Sequence, residues 1–256
     1  MKAKNPVMVN AGKKAAATRK ANKEAQQKKW SEAGKKAAAK RRENKLAFHN
    51  ESGAEKIKRR ELKAKAYKDS GIHSGSLLFM PSQTCEDINV INRVIPRNEF
   101  HYIGSEINEQ AQKEIRRKKQ ENGYKMSLMP FSIADIVMNA GENDYSHVDL
   151  DFCETFSRYY ATLGTAIVNK IVQKNGIITA TFAARDLNIS TTAQKILGAK
   201  RVKELKANGE NLILPTLTKF IKTLGKYSYR FICEPETYTD SKQGNHMVFF
   251  IIQRVK

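Results

Sequence analysis

Apolar and polar positions change rhythm along the chain, and the change divides it. Over residues 71–256, short apolar runs alternate with stretches of helical period. Runs at 76–80, 100–107, 125–129, 145–152 and 177–183 predict strands, because β-branched and aromatic residues gather there between turn residues. Helices are expected between them at about 85–94, 109–120, 132–139 and 155–173. The first carries Glu86 and Asp87 in its opening turn, where the helix dipole favours acids; the second stops at Asn122-Gly123 and the last at Lys174-Asn175-Gly176. The run 177–183 is β-branched and aromatic, as a central parallel strand buried on both faces would be. Two further helical stretches, 191–208 and 215–224, precede two closing strands, 227–234 and 246–255, joined by a loop of about eleven residues. Five strands alternating with helices, then a strand pair, predict an α/β fold. The sheet is doubly wound and mostly parallel, with a C-terminal antiparallel pair.

Residues 1–70 break this rhythm. Their large apolar side chains are few, chiefly Trp30, Leu46, Phe48, Ile57, Leu62 and Tyr67, too few to bury a core of their own. Charge sharpens the division: this stretch holds 22 Lys+Arg against 7 Asp+Glu, while 71–256 holds 24 against 19. The expected organisation is a basic arm over 1–70, disordered or helical, and one domain over 71–256. The arm contains a repeat, Ala11-Gly12-Lys13-Lys14-Ala15-Ala16-Ala17 and Ala33-Gly34-Lys35-Lys36-Ala37-Ala38-Ala39, each copy running on into basic residues. The 22-residue offset is close to six helical turns, so a helical arm points both Lys-Lys pairs the same way, about 33 Å apart. Lys13, Lys14, Arg19, Lys20, Lys35, Lys36, Arg41 and Arg42 are therefore expected to bind nucleic acid, DNA or RNA, by releasing its counterions. Trp30 is available to stack on a base. A solubilising tail, or one that docks on an acidic protein, has the same composition.

Several classes are set aside. The apolar run ending at Ile252 is far shorter than the roughly 20 residues of a membrane span, and the Lys-rich start has no signal-peptide core. Cys85, Cys153 and Cys233 are odd in number and widely spaced, which reads as reduced thiols of an intracellular, cytoplasmic protein. The five histidines are not at metal-ligand spacing with a cysteine, and no Walker-type loop occurs. His147 shares a strand face with Asp149 and reads as structural. Residues 184–190, leading into Thr191, also admit a helix-turn-helix reading.

In an open α/β sheet the ligand crevice lies outside the carboxyl ends of the strands where strand order reverses, here after the first and fourth. The first strand runs into Met80-Pro81-Ser82-Gln83-Thr84, the second ends at Ser105-Glu106-Ile107, and the fourth ends in Asp149-Leu150-Asp151-Phe152. Glu106 lies 24 residues after Ser82, a spacing that lets its carboxylate reach a ribose diol.

On this order of elements and these three positions, residues 76–255 resemble the class I S-adenosylmethionine-dependent methyltransferases, a Rossmann-like family. The resemblance implies S-adenosylmethionine as cofactor, held by Met80, Pro81, Ser82 and Glu106. The loop after the first strand departs from the family, which usually has a Gly-rich turn where this chain has no glycine. Methyltransferases of exocyclic base amines carry Asp/Asn-Pro-Pro-Tyr/Phe at the fourth strand's end, and Asp149-Leu150-Asp151-Phe152 matches its first and last positions. By that resemblance Asp149, or Asp151 one step on, accepts a hydrogen bond from the target amine, and Phe152 stacks on a flipped base. Two functions are thus expected: a nucleic-acid methyltransferase, or a degenerate domain of that fold acting as a nucleic-acid-binding module.

Overall fold

The structure, a computed structural model, describes Glu32 and residues 54–184, 191–226, 228–240 and 245–256. The compact unit to which nearly all of these belong runs from Ser52 to Lys256. It opens with helix α1 (Ala54–Asp69) and continues β1 (Ser74–Phe79), α2 (Glu86–Val94), β2 (Glu99–Ser105), α3 (Glu109–Asn122), β3 (Met126–Met129) and α4 (Ile133–Met138). Then follow β4 (Tyr145–Thr155), α5 (Phe156–Val168), β5 (Val172–Ala183), α6 (Thr191–Leu197), α7 (Ala199–Ala207), α8 (Ile213–Gly225), β6 (Tyr229–Asp240) and β7 (Asn245–Arg254).

The seven strands form one sheet in the order β3-β2-β1-β4-β5-β7-β6. β1 to β5 are parallel where they pair, and β7 is antiparallel to both β5 and β6. This is the expected doubly wound, Rossmann-like sheet with its antiparallel C-terminal pair. Side chains alternate across it as the pleat requires. Leu77, Phe79, Tyr102, Ile177 and Phe249 face one helical layer, with Tyr67 of α1, Ile88 of α2 and Ile115 of α3. Leu78, Val148, Leu150, Phe182 and Phe250 face the other, with Val137 of α4, Leu163 of α5 and Leu217 of α8. Local chemistry fixes several ends. Asn108 caps α3 by accepting from the Ala111 N–H at 2.9 Å, Gly123 ends it in the left-handed region, and Ser132 caps α4.

Three boundaries differ from the sequence reading. β5 begins at Val172, so Lys174-Asn175-Gly176 is a bulge inside a strand rather than a turn before one. Only glycine fits there, since a Cβ on Gly176 would lie 2.5 Å from the Ser146 carbonyl oxygen. β6 runs on to Asp240, six residues beyond the expected end at Glu234; an edge strand tolerates Pro235 beside a register shift. The expected helix over 191–208 is two helices divided at Gly198, whose φ is +89°. No described helix is long and apolar enough to cross a membrane.

The largest correction concerns the arm. Residues 54–69 belong to the folded unit: α1 lies on the sheet and buries Arg59, Lys63, Ala64, Ala66 and Tyr67. The folded unit therefore begins ahead of residue 71, where the sequence places its start, and residues 54–69 carry part of its core. Every arm residue assigned to nucleic acid, from Lys13 to Arg42, lies outside the described residues.

Candidate active site at the carboxyl edge

The sheet opens where theory places a crevice. β1 and β4 are in register only at Leu77 with His147 and Leu78 with Val148. β1 then ends at Phe79, while β4 continues to Thr155. Beyond Val148 the two strands part, with β2 continuing beside β1 and β5 beside β4. This is the switch point of the sheet. The loop after β1 and Asp151 of β4 lie on the two sides of this switch point, and Glu106 follows the end of β2.

The loop lacks glycine, but its neighbour supplies one. Pro81 is buried against β2, where a Cβ on Gly104 would meet the Pro81 ring at 3.0 Å and Leu128 at 3.1 Å. The glycine that lets the chain pass closely is thus on β2. Met80 packs half-buried on the core. Ser82 begins a tight turn, its carbonyl accepting from the Cys85 N–H at 3.0 Å and its hydroxyl 3.2 Å from that of Thr84. Cys85 closes the turn at φ +55°; burial pushes its thiol up to about 11, so it is inert at neutral pH.

Glu106 is half-exposed and held by local bonds. Its Oε1 accepts from the Asn108 N–H at 2.7 Å, and its carbonyl accepts from Gln112 at 2.8 Å. No described residue bonds to Oε2, leaving it to accept from a ligand. Two apolar side chains that the sequence reading did not single out flank this acid's end of the sheet. Ile107, next after Glu106, is 67% exposed, and Phe131, just past β3, is 55% exposed. The Ser105 hydroxyl donates to the Phe131 carbonyl at 2.8 Å and ties the two strand ends together. The signal available in sequence was position alone: large apolar residues at the carboxyl ends of adjacent strands.

The fourth strand separates the expected residues. Asp149 is buried and committed. Its Oδ2 accepts from Lys63 of α1, and its Oδ1 accepts from the Thr179 hydroxyl at 2.5 Å. Lys63 also donates to Asp87 of α2 at 3.0 Å, and Asp87 pairs with Arg60 at 3.3 Å. Burial opposes the charge on Lys63, but Asp149 and Asp87 more than offset it and hold its pKa well above the ordinary lysine value. Burial raises the Asp149 carboxyl against the pull of Lys63. For Asp87 burial also acts upward, yet Lys63 and Arg60 outweigh it and hold that carboxyl low. Asp149 thus ties β4 to α1, with both carboxylate oxygens bonded within the protein. Phe152 is also withdrawn: it is 1% exposed and stacks on Tyr159 at 4.1 Å and Phe182 at 5.2 Å between ring centres. Asp151 points to the same face as Asp149, one pleat nearer the carboxyl end. It is half-exposed, and no described residue pairs with its carboxylate.

His147 is structural. It stacks on Tyr67 at 4.5 Å, its Nε2 lies 3.1 Å from the Ile72 carbonyl, and its Nδ1 accepts from the Ile177 N–H at 3.1 Å. Burial lowers its pKa to about 4. No group of His, Cys, Asp and Glu among the described residues is arranged to hold a metal ion.

No protein-family model and no curated protein sequence matches the chain. Its fold is similar to those of several solved structures at low identity. A Haemophilus influenzae protein provisionally named a methylase matches with TM-score 0.49 at 10% identity, over 77% of this chain and 88% of that one. A Clostridium thermocellum protein provisionally named an rRNA methylase matches with TM-score 0.45 at 10% identity, over 77% and 96%. The Pyrococcus horikoshii protein TYW2, solved with MeSAdo, matches with TM-score 0.43 at 10% identity, over 75% and 62%.

Proposed function

We propose that this chain is an S-adenosylmethionine-dependent methyltransferase acting on an amino group of a nucleic-acid base. The observation that carries the reading is Glu106, an acid with one carboxylate oxygen unused, fixed on the strand beside the switch point. The residues fit such a cofactor. Glu106 Oε2 accepts hydrogen bonds from the ribose hydroxyls, each charge-assisted bond contributing about 1.5–3 kcal/mol. Exposed Ile107 and Phe131 offer apolar surface to a flat adenine. Ser82 and the turn that follows line the side of the crevice where the methionine part would lie.

S-adenosylmethionine, when bound, supplies an electrophilic methyl group on a sulfonium centre. Asp151 accepts a hydrogen bond from the target NH₂, directing the nitrogen lone pair into the crevice, and takes up the proton that the alkylated nitrogen releases. Lys63, close enough to feel the charge of Asp151, is held charged by its two buried acids. The basic arm concentrates the polyanionic substrate near the domain.

A second reading, a binding module without catalysis, is favoured by the withdrawal of Asp149 and Phe152 into the interior. One assay separates the two. Radiolabelled methyl transfer from S-adenosylmethionine is measured on DNA and RNA with wild type and Asp151→Asn. Transfer by wild type, reduced at least a hundredfold in the variant, supports the enzyme with Asp151 as its acceptor. Binding of the polyanion with no transfer by wild type leaves the module.

A further inference from the structure

The chain does more than is needed to connect β5 to β6. β5 ends at the carboxyl edge, and β6, which runs parallel to it, starts at the opposite edge, so one crossover helix suffices. α8 makes that return, packing on the core through Leu217 and Phe220. α6 and α7 are inserted ahead of it, and so at the carboxyl edge, where Asp151 and Glu106 lie. They form a hairpin about Gly198 with its own apolar cluster of Ala193, Val202, Leu205 and Leu212, and Ile196 pins it to the main core. The insertion is folded and anchored, yet neither helix covers the sheet.

Its outer surface is basic. Lys195, Lys200, Arg201, Lys203 and Lys206 are all exposed. Arg201 pairs with Glu204 at 3.3 Å, but no described carboxylate pairs with any of the four lysines. On α3, also strongly charged, Arg117 pairs with Glu114 at 3.0 Å and also with Glu121, and Lys118 pairs with Glu121 at 2.8 Å. On α7, Lys200, Lys203 and Lys206 follow at three-residue steps, all exposed, while Val202 and Leu205 are buried. They span about 9 Å along the axis, the axial reach of about three successive phosphates on one strand.

We infer that the α6–α7 hairpin is a phosphate-backbone-binding surface for nucleic acid, separate from the basic arm, that seats the polynucleotide beside the carboxyl-edge crevice. This rests on the proposed nucleic-acid substrate but not on methyl transfer. The test uses the full chain and a fluorescein-labelled 20-base-pair DNA duplex, with affinity measured from 50 to 200 mM salt. The variants are Lys200→Gln/Lys203→Gln/Lys206→Gln on α7 and, for comparison, Arg117→Gln/Lys118→Gln on α3. The α7 variant should bind more weakly, with a log–log salt slope shallower by about 2 to 3, whereas the α3 variant should match wild type. An unchanged slope in the α7 variant overturns the inference, and so does an equal loss in the α3 variant, which would mark diffuse charge. Tighter binding of labelled poly-glutamate than of the duplex, lost in the α7 variant, assigns the surface to an acidic protein and overturns it too. S-adenosylmethionine is absent from every arm, so a failure of the cofactor reading leaves the outcome standing.

Discussion

α1 and α7 are close in composition and opposite in role. Each is rich in Lys, Arg and Ala with little apolar character. α1 turns cations inward: Lys63 bridges Asp149 and Asp87, while Arg59 pairs with Glu236 at 2.5 Å and lies over the rings of Tyr238 and Phe249. α7 turns every cation outward and buries only Val202 and Leu205. The difference lies in what faces each helix. β4 and α2 present acids to α1, so its positive charge is neutralised in place and becomes part of the core. Among the described residues no carboxylate pairs with the lysines of α7, and their charge remains available to a partner. Composition marks both helices as basic; only the partner decides which is structural.

The largest effect should come from removing α1. Deleting residues 1–53 leaves the folded unit whole and should move the melting temperature little. Deleting 1–70 removes Tyr67 and Lys63, each costing about 3–5 kcal/mol, and should lower it by more than about 12 °C or prevent folding. Equal melting temperatures for the two truncations, followed by circular dichroism, would contradict the role given to α1.

Lys63→Ala alone should destabilise by about 3–5 kcal/mol in urea unfolding, because Asp149 is left buried without its cation. Lys63→Met with Asp149→Leu should recover most of that loss, since Asp87 keeps Arg60. No recovery would mean that Lys63 acts through something other than this pair.

His147 adds a pH dependence of about 3 kcal/mol. Its folded pKa of about 4 lies below the unfolded value of about 6.5. In that window the unfolded chain binds the proton and the folded chain does not, so its contribution is complete above pH 6.5 and lost as pH falls towards 4. Unfolding free energies at pH 7, 5.5 and 4.5 should fall more steeply for wild type than for His147→Gln. Smallest of all, the triple lysine variant of α7 should melt within about 2 °C of wild type, because exposed charges without partners contribute little to stability.

The legible parts of the fold were those whose burial is written in apolar residues. β1, β2, β4 and β5 are legible because each carries an apolar, β-branched or aromatic run between turn residues. α1 did not, because its buried face consists of Ala64, Ala66, Tyr67 and two cations, which carry no apolar period. The fate of Asp149 was hidden for the same reason: its partner Lys63 lies 86 residues away, and an acid near a strand end reads alike whether free or paired. Glu106 and Asp151 are legible as acids at strand ends, and both are half-exposed in the structure. Strand alternation turns Phe152, like Leu150, into the opposite core, which its place in the sequence alone does not reveal.

The central claim is that the carboxyl edge binds S-adenosylmethionine through Glu106, and calorimetric titration of that cofactor tests it directly. Wild type should bind with measurable heat, and Glu106→Ala should bind at least about tenfold more weakly, from the loss of one or two charge-assisted bonds to the ribose. The variant's melting temperature without cofactor should match wild type, because among the described residues the Glu106 side chain bonds only to the nearby Asn108 N–H. Absence of heat and of any thermal shift in wild type at millimolar cofactor, or equal affinity in the variant, would contradict the account.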